Sequence, residues 1–300
     1  MMRFLGFAAL ALSLVSLVSR TPAWADDETY TIKFKQLAKG ETGSYEIRDK
    51  GEDHIKVLNA SGQAFINESY KYDEKLVFWE RVYERPEGEL PTRVLRGYGE
   101  ARMKWDDESL VLPVEGKRVR IERKGDDYTY KIEGGDDAGK FKDIMAYEFE
   151  DDFTMSAFLP DKPVKLKETF RFNGKRLAKG LSKKIKDLQF DVAKTKALGR
   201  LTEVYDKDGR KFGKLVSHVE IPLLALLEDG KRLPLRKEDK MIVQVTFDLC
   251  IDGSAHVGSV RVIPYASINF KDDIEGEKVA VKVVYKAERT VTIKEIAAKK

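Results

Sequence analysis

The residues best suited to chemistry in this 300-residue chain are three histidines, one cysteine and several carboxylates set side by side. His218 and Glu220 are two apart, which on a strand puts both on one face. They are the candidate metal ligands. A hydrolytic zinc centre takes three protein ligands, often two of them in one tight motif, so this pair is a ligand short. No metal or other cofactor is expected. His54 follows Asp53 near the start of a strand and His256 follows a turn. Both read as exposed or capping polar groups. Cys250 lies among the alternating residues Val243, Val245, Phe247, Leu249 and Ile251, with no basic neighbour in sequence to make it a thiolate. It reads as an inert, buried or half-buried thiol. Asp106–Asp107, Asp151–Asp152 and Asp272–Asp273 are adjacent pairs, and neighbours on a strand point to opposite faces, which does not make a glycosidase pair. The acidic run 148–152 lacks the alternate oxygen ligands and glycine turn of a calcium loop. There is no Gly-x-Ser-x-Gly elbow, His-Glu-x-x-His or phosphate-binding glycine loop. The expectation is a protein that is not an enzyme.

Aromatic residues offer a different chemistry, the stacking of a sugar or lipid. Trp79, Tyr83, Tyr128 and Tyr130 are the candidate ligand-binding residues, in a first half that also holds Tyr70, Tyr72 and Trp105. In strands such residues also serve as core or cross-strand packing.

Most of these residues fall in segments of period two, the mark of half-buried strands. Tyr30, Ile32 and Phe34 alternate with polar residues. Tyr45 to Ile47 reads as a second strand and Ile55 with Val57 as the start of a third. From Lys75 to Arg85, Leu76, Phe78, Glu80 and Val82 share one face and Val77, Trp79, Arg81 and Tyr83 the other. Lys124-Gly125-Asp126-Asp127 and Asp208-Gly209 mark hairpins. Pro222 is expected to end a strand, with Leu223 to Leu227 as a separate apolar run. The last strand has Val279, Val281, Val283, Tyr285, Ala287, Val291 and Ile293 on one face, and Arg289 is its single break. Two helices are expected. Phe141, Ile144, Met145, Phe149 and Phe153 step by three and four. Leu177, Leu181, Ile185 and Leu188 form an aliphatic stripe opposite Lys175, Lys179, Lys183, Lys184 and Lys186.

Arg3, the apolar run Phe4 to Val18 and Ala23-Trp24-Ala25 follow the order of a secretory signal peptide cleaved after Ala25. The run is shorter than the ~20 residues that span a bilayer, so no transmembrane segment is expected after its removal. One cysteine permits no intramolecular disulfide, so an exported chain of this kind relies on core size. Charged residues make up 35% of the chain with a net charge of +4, and the signs interleave. A nucleic-acid binder concentrates positive charge on one face, so no nucleic acid is expected as partner.

The stretch Leu159-Pro160-Asp161-Lys162-Pro163-Val164-Lys165-Leu166-Lys167-Glu168-Thr169-Phe170 resembles a family of uncharacterised secreted β-rich bacterial proteins. In these a Leu-Pro and a Pro-Val-Lys precede a Gly-Asp-Thr-Trp-like tetrad. Lys167 stands at the glycine position and Phe170 at the tryptophan. The hairpin from Gly199 to Gly213 is also similar to that family. The resemblance implies export and a β-rich fold, and it brings no active site.

The expected fold is mainly β, a large curved antiparallel sheet or sheets in one assembly or two lobes, with one or two helices from the middle of the chain. The expected organisation is a signal peptide over 1–25, a β-rich half over 26–158, a connector with an amphipathic helix over 159–188 and a second β-rich half over 189–300. The expected function is a non-catalytic exported protein, periplasmic or extracellular, of the cell envelope. Its partner would be a lipid or other amphipathic ligand, or an envelope protein, held on the curved sheet. The alternatives are a structural or cell-surface interaction module, and a hydrolase of unknown class.

Overall fold

The structure, a computed structural model, describes residues 28–87, 91–125, 127–135, 158–228, 231–274 and 276–296. The signal segment and the stretch from Phe141 to Phe153 lie outside the described residues. Among the described residues the fold is mainly β, with one large antiparallel sheet, a separate two-stranded one and one α-helix. The N-terminal half supplies β1 (Thr29–Tyr30), β2 (Thr42–Leu58), β3 (Ala64–Glu84), β4 (Arg93–Trp105), β5 (Glu108–Val111), β6 (Arg118–Lys124) and β7 (Asp127–Ile132). The connector supplies β8 (Val164–Lys165), β9 (Thr169–Arg171) and α1 (Gly174–Lys184). The C-terminal half supplies β10 (Leu188–Phe190), β11 (Lys196–Lys207), β12 (Arg210–Glu228), β13 (Lys231–Pro234), β14 (Lys240–Cys250), β15 (Gly258–Ile274) and β16 (Glu277–Glu295).

Across the sheet the order is β7-β6-β4-β3-β2-β16-β15-β14-β12-β11-β9, with β5 on β4 and with β10 and β13 on β12. The last strand therefore lies beside the first long one. Ala280 faces Leu58 at one end of that seam and Glu295 faces Gly43 at the other. The two halves thus share one continuous sheet. Among the described residues its edges, β7 and β9, do not pair with each other, so the described sheet is not a closed barrel.

Alternation along the strands puts one face into the core. On β16 Val279, Val281, Ala287 and Ile293 are buried, and on β14 so are Met241, Val243, Val245, Phe247 and Leu249. We call this the inner face. The N-terminal segment crosses it, burying Ile32 and Leu37 and placing Phe34 against Phe247 at 5.9 Å between ring centroids. Phe158 meets Phe247 at 5.6 Å and Phe172 at 5.4 Å. These rings tie the connector to the sheet and add to its area burial.

α1 starts at Asn173, whose side-chain oxygen accepts from the Arg176 N–H as an N-cap. Leu177 and Ala178 are buried on its inward stripe. The helix ends at Lys184, with Leu188 in β10 opposite Leu226. The stripe expected to run on to Leu188 is thus cut short, because the Leu188 backbone finds a ladder partner. Lys167, between β8 and β9, has φ 65°, the left-handed region that favours glycine.

Three other expectations are corrected. Tyr45 and Ile55 belong to one strand, β2, which runs unbroken through Gly51. Pro222 lies inside β12, at the point where the strand changes neighbours: Pro222 faces Lys240 of β14, and Ala225 faces Pro234 of β13. A strand that swaps partners tolerates the missing N–H there. Arg289 does not break the last strand, because it lies on the inner face and is buried.

Candidate functional site

Antiparallel register builds a polar row across the middle of this apolar face. Glu74 of β3 faces Asp49 of β2, and Asp49 faces Arg289 of β16. The same row continues through Val262 and Val245 to Ser217. Glu74, Asp49, Arg289 and Ser217 are all buried. Arg289 Nη1 lies 3.4 Å from Asp49 Oδ2. A buried charge needs such a partner, because each ion taken from water costs several kcal/mol. Glu74 Oε1 is buried and makes no hydrogen bond to a described residue. Burial pushes its carboxyl up to about 7, with Arg289 pulling it down and Asp49 pushing it further up.

The next row holds Tyr72, Gly51 and Ala287. A Cβ on Gly51 would overlap the Tyr72 ring, so only glycine lets the ring lie flat across β2. That pose brings Tyr72 Oη within 3.3 Å of Asp49 Oδ1, to which it donates, and 3.5 Å from Tyr285 Oη. Burial raises both phenols above their ordinary range, Tyr72 also through Tyr285 and Asp49. Half-buried Asp53 faces Tyr285 one row further on, and burial raises its carboxyl too.

The face opens to solvent beyond Tyr72. Trp105, directly across from Tyr72, stacks on it at 6.2 Å and 16° and is 48% exposed. Leu110 of β5 faces half-buried Met103 and is 54% exposed. β6 pairs with β4 only from Arg93 to Gly97, so β5 is the sheet margin here. Side chains thus grade from exposed Trp105 and Leu110 through Tyr72 to the buried carboxyls and Arg289. Hydrophobic period showed the strands but not this row, whose members come from both ends of the chain. The one signal in the sequence was Arg289, a charge on an otherwise apolar face.

The four aromatic candidates fall on two faces. Tyr128 and Tyr130 are buried on the inner face, where they pack in the core. Trp79 and Tyr83 point outward. The Trp79 ring lies over Gly97, with the Arg118 guanidinium 5.9 Å away. Tyr83 is exposed at a register shift and lines a cavity of about 270 Å³.

His218 Nε2 lies 3.4 Å from Glu220 Oε1, and Lys240 Nζ lies 3.1 Å from Glu220 Oε2. Lys240 first, and then His218, hold the Glu220 carboxyl below its usual range. With Lys240 the pair forms a half-buried polar cluster, and no group of three metal-ligating side chains occurs among the described residues. His256 donates from Nδ1 to the Lys35 carbonyl at 2.6 Å, which leaves Nε2 to accept from Tyr45 Oη at 2.9 Å. It ties down the N-terminal segment. His54 Nδ1 lies 2.8 Å from Ser69 Oγ at the surface. The Cys250 thiol is buried and donates to the Asp252 carboxylate at 3.1 Å.

Together these features define an open antiparallel sheet with a covered inner face and a polar row inside it. No family model matches the chain, and no curated protein matches it. Among solved structures it is similar to lipovitellin, described for its lipid–protein interactions, with 10% identity and a TM-score of 0.45 over 88% of this chain. The chain spans 26% of that lipovitellin chain. It is also similar to an outer membrane channel from Pseudomonas putida F1, with 10% identity and a TM-score of 0.19, covering 87% of this chain and 98% of the channel. No described helix is long and apolar enough to cross a membrane.

Proposed function

We propose that this is an exported, non-catalytic binding protein that holds an amphipathic molecule on the inner face of its sheet. The observation that carries the reading is the gradient from Trp105 and Leu110, both about half exposed, to the buried Glu74–Asp49–Arg289 row on the same face. An apolar chain would lie against Trp105, Leu110 and Met103. Its polar end would meet the Tyr72 and Tyr285 hydroxyls and the Glu74 carboxyl. Pockets for such ligands are mostly apolar with a few convergent polar groups. The leader-like residues up to Ala25 support export.

Native mass spectrometry of protein taken from its own envelope tests this. The expected result is a co-purifying amphipathic molecule that is lost from Trp105→Ala. Bare protein from every preparation would sink the reading.

A second reading, an interaction module, rests on β5. This strand has β4 as its ladder partner, and it exposes Leu110 and Val111 on opposite faces. A bare apolar edge is a template for pairing with another chain. Light scattering that finds self-association, abolished by Val111→Lys, would favour it.

A further inference from the structure

The outer face carries a second feature that the inner-face reading does not use. Tyr83 is the extra residue at a β-bulge, since Val82 faces Val94 and Glu84 faces Arg93. Bulges re-aim side chains and recur beside functional sites. Alternation along β3 already puts Tyr83 on the outer face, and the bulge leaves it without a directly opposed residue beside a cavity of about 270 Å³ lined also by Arg93, Leu95, Arg120, Glu122 and Glu133. The three strands β3, β4 and β6 fix this lining by register: Leu95 faces Arg120, and Arg93 faces Glu122. The lining includes one aliphatic side chain, Leu95, which is 8% exposed although it points away from the core.

The charges in the lining balance. Two guanidiniums, Arg93 and Arg120, are set among two carboxylates, Glu122 and Glu133. Each guanidinium is already held, Arg93 by Glu84 at 2.9 Å and Arg120 by Glu133 at 3.3 Å. The Arg81 and Arg93 guanidinium carbons lie 5.7 and 5.9 Å from the centre of the Tyr83 ring and help to fix it. A phosphate or other strong anion entering this space would face both carboxylates at close range. A ring of hydroxyls would not, because each hydroxyl both donates and accepts. It would find carboxylate acceptors and guanidinium donors together with the Tyr83 ring and the Leu95 side chain. The volume lies just below the ~300 Å³ at which small-molecule pockets begin, which suits one pyranose-sized ring.

We propose that this outer-face cavity is a binding site for a neutral sugar ring, built on Tyr83, Arg93, Glu122 and the Arg120–Glu133 ion pair. A single ring of this size binds with a dissociation constant on the order of millimolar.

The test is an NMR titration of the full chain with methyl glucoside and methyl N-acetylglucosaminide as neutral probes, and with inorganic phosphate as the anionic one. The expected result is a saturable shift of amides around Tyr83, Leu95 and Arg120 with a neutral glycoside and none with phosphate. Tyr83→Ala should weaken glycoside binding about tenfold, the loss of one aromatic platform. Arg120→Gln, which is exposed and leaves the fold intact, should weaken it too. Tyr265→Ala, an exposed tyrosine on β15, should leave it unchanged. Saturable shifts with phosphate alone would overturn the proposal, as would the absence of shifts with both glycosides in protein that retains its native spectrum.

Discussion

Glu74 is the residue whose environment most changes what its side chain can do. The carboxyl is buried beside Asp49, and its Oε1 accepts no hydrogen bond from a described residue. Desolvation therefore favours the neutral acid, and the carboxyl is raised to about 7 from its usual 4.5. The linkage follows from that direction. Below pH 4.5 the group is protonated in both folded and unfolded chains. As pH rises towards 7 the unfolded chain loses its proton first, so stability falls, and above 7 the loss is complete. Glu74→Gln removes the ionisation. It should stabilise the fold by roughly 2–4 kcal/mol at pH 8 and by little at pH 4.5. Urea denaturation at the two pH values measures this, and an equal effect at both would refute the assignment. The partners that bear on the measurement are Asp49, Arg289 and Tyr72, all within the same two rows.

At the scale of elements, the sheet tolerates buried charge where register supplies an opposite partner. β3 and β4 show this most closely. Glu80 faces Arg96, with Arg96 Nε 2.6 Å from Glu80 Oε2, and their side chains are 1% and 4% exposed. The Arg96 guanidinium also sits 4.5 Å from the centre of the Phe78 ring. Removing one partner leaves a buried charge uncompensated, so Arg96→Met should cost about 3–5 kcal/mol. Replacing both, as Glu80→Leu with Arg96→Met, should recover most of that loss. Thermal unfolding of the two variants and the parent decides it, and a double variant as unstable as the single one would contradict this account. The alternation from Leu76 to Val82 was legible as one face of a strand. Glu80 is the one charged residue on that stretch of the face, and its partner lies on the next strand.

At the scale of the whole molecule, the seam between β2 and β16 makes the two halves one sheet. Every central strand bonds on both sides, so damage at the seam reaches both halves. Val281 is buried, facing Val57 of β2 and Phe270 of β15. Proline there removes a ladder donor from a central strand. Val281→Pro should lower stability throughout, so that Trp fluorescence from the N-terminal half and hydrogen exchange in β12 and β14 report one shared transition. Exchange that stays slow in β14 while Trp79 is already exposed would mean that the halves fold separately.

What the sequence by itself determined is local. The period of two marked most of the strands, glycine at positive φ marked turns such as Lys124-Gly125 and Asp208-Gly209, and the aliphatic stripe marked α1. Residues within one element share a face for reasons of backbone geometry alone, and that can be read in order along the chain. Only the tertiary structure decided which strands lie side by side. That choice put Asp49, Glu74 and Arg289 in one row, gave Tyr72 the bare surface of Gly51, and separated Tyr83 from Tyr128 by the thickness of the sheet. The reason is physical: cross-strand pairing is set by the burial of whole faces at once, and a charge such as Arg289 gains its partner from a strand some 240 residues away in sequence.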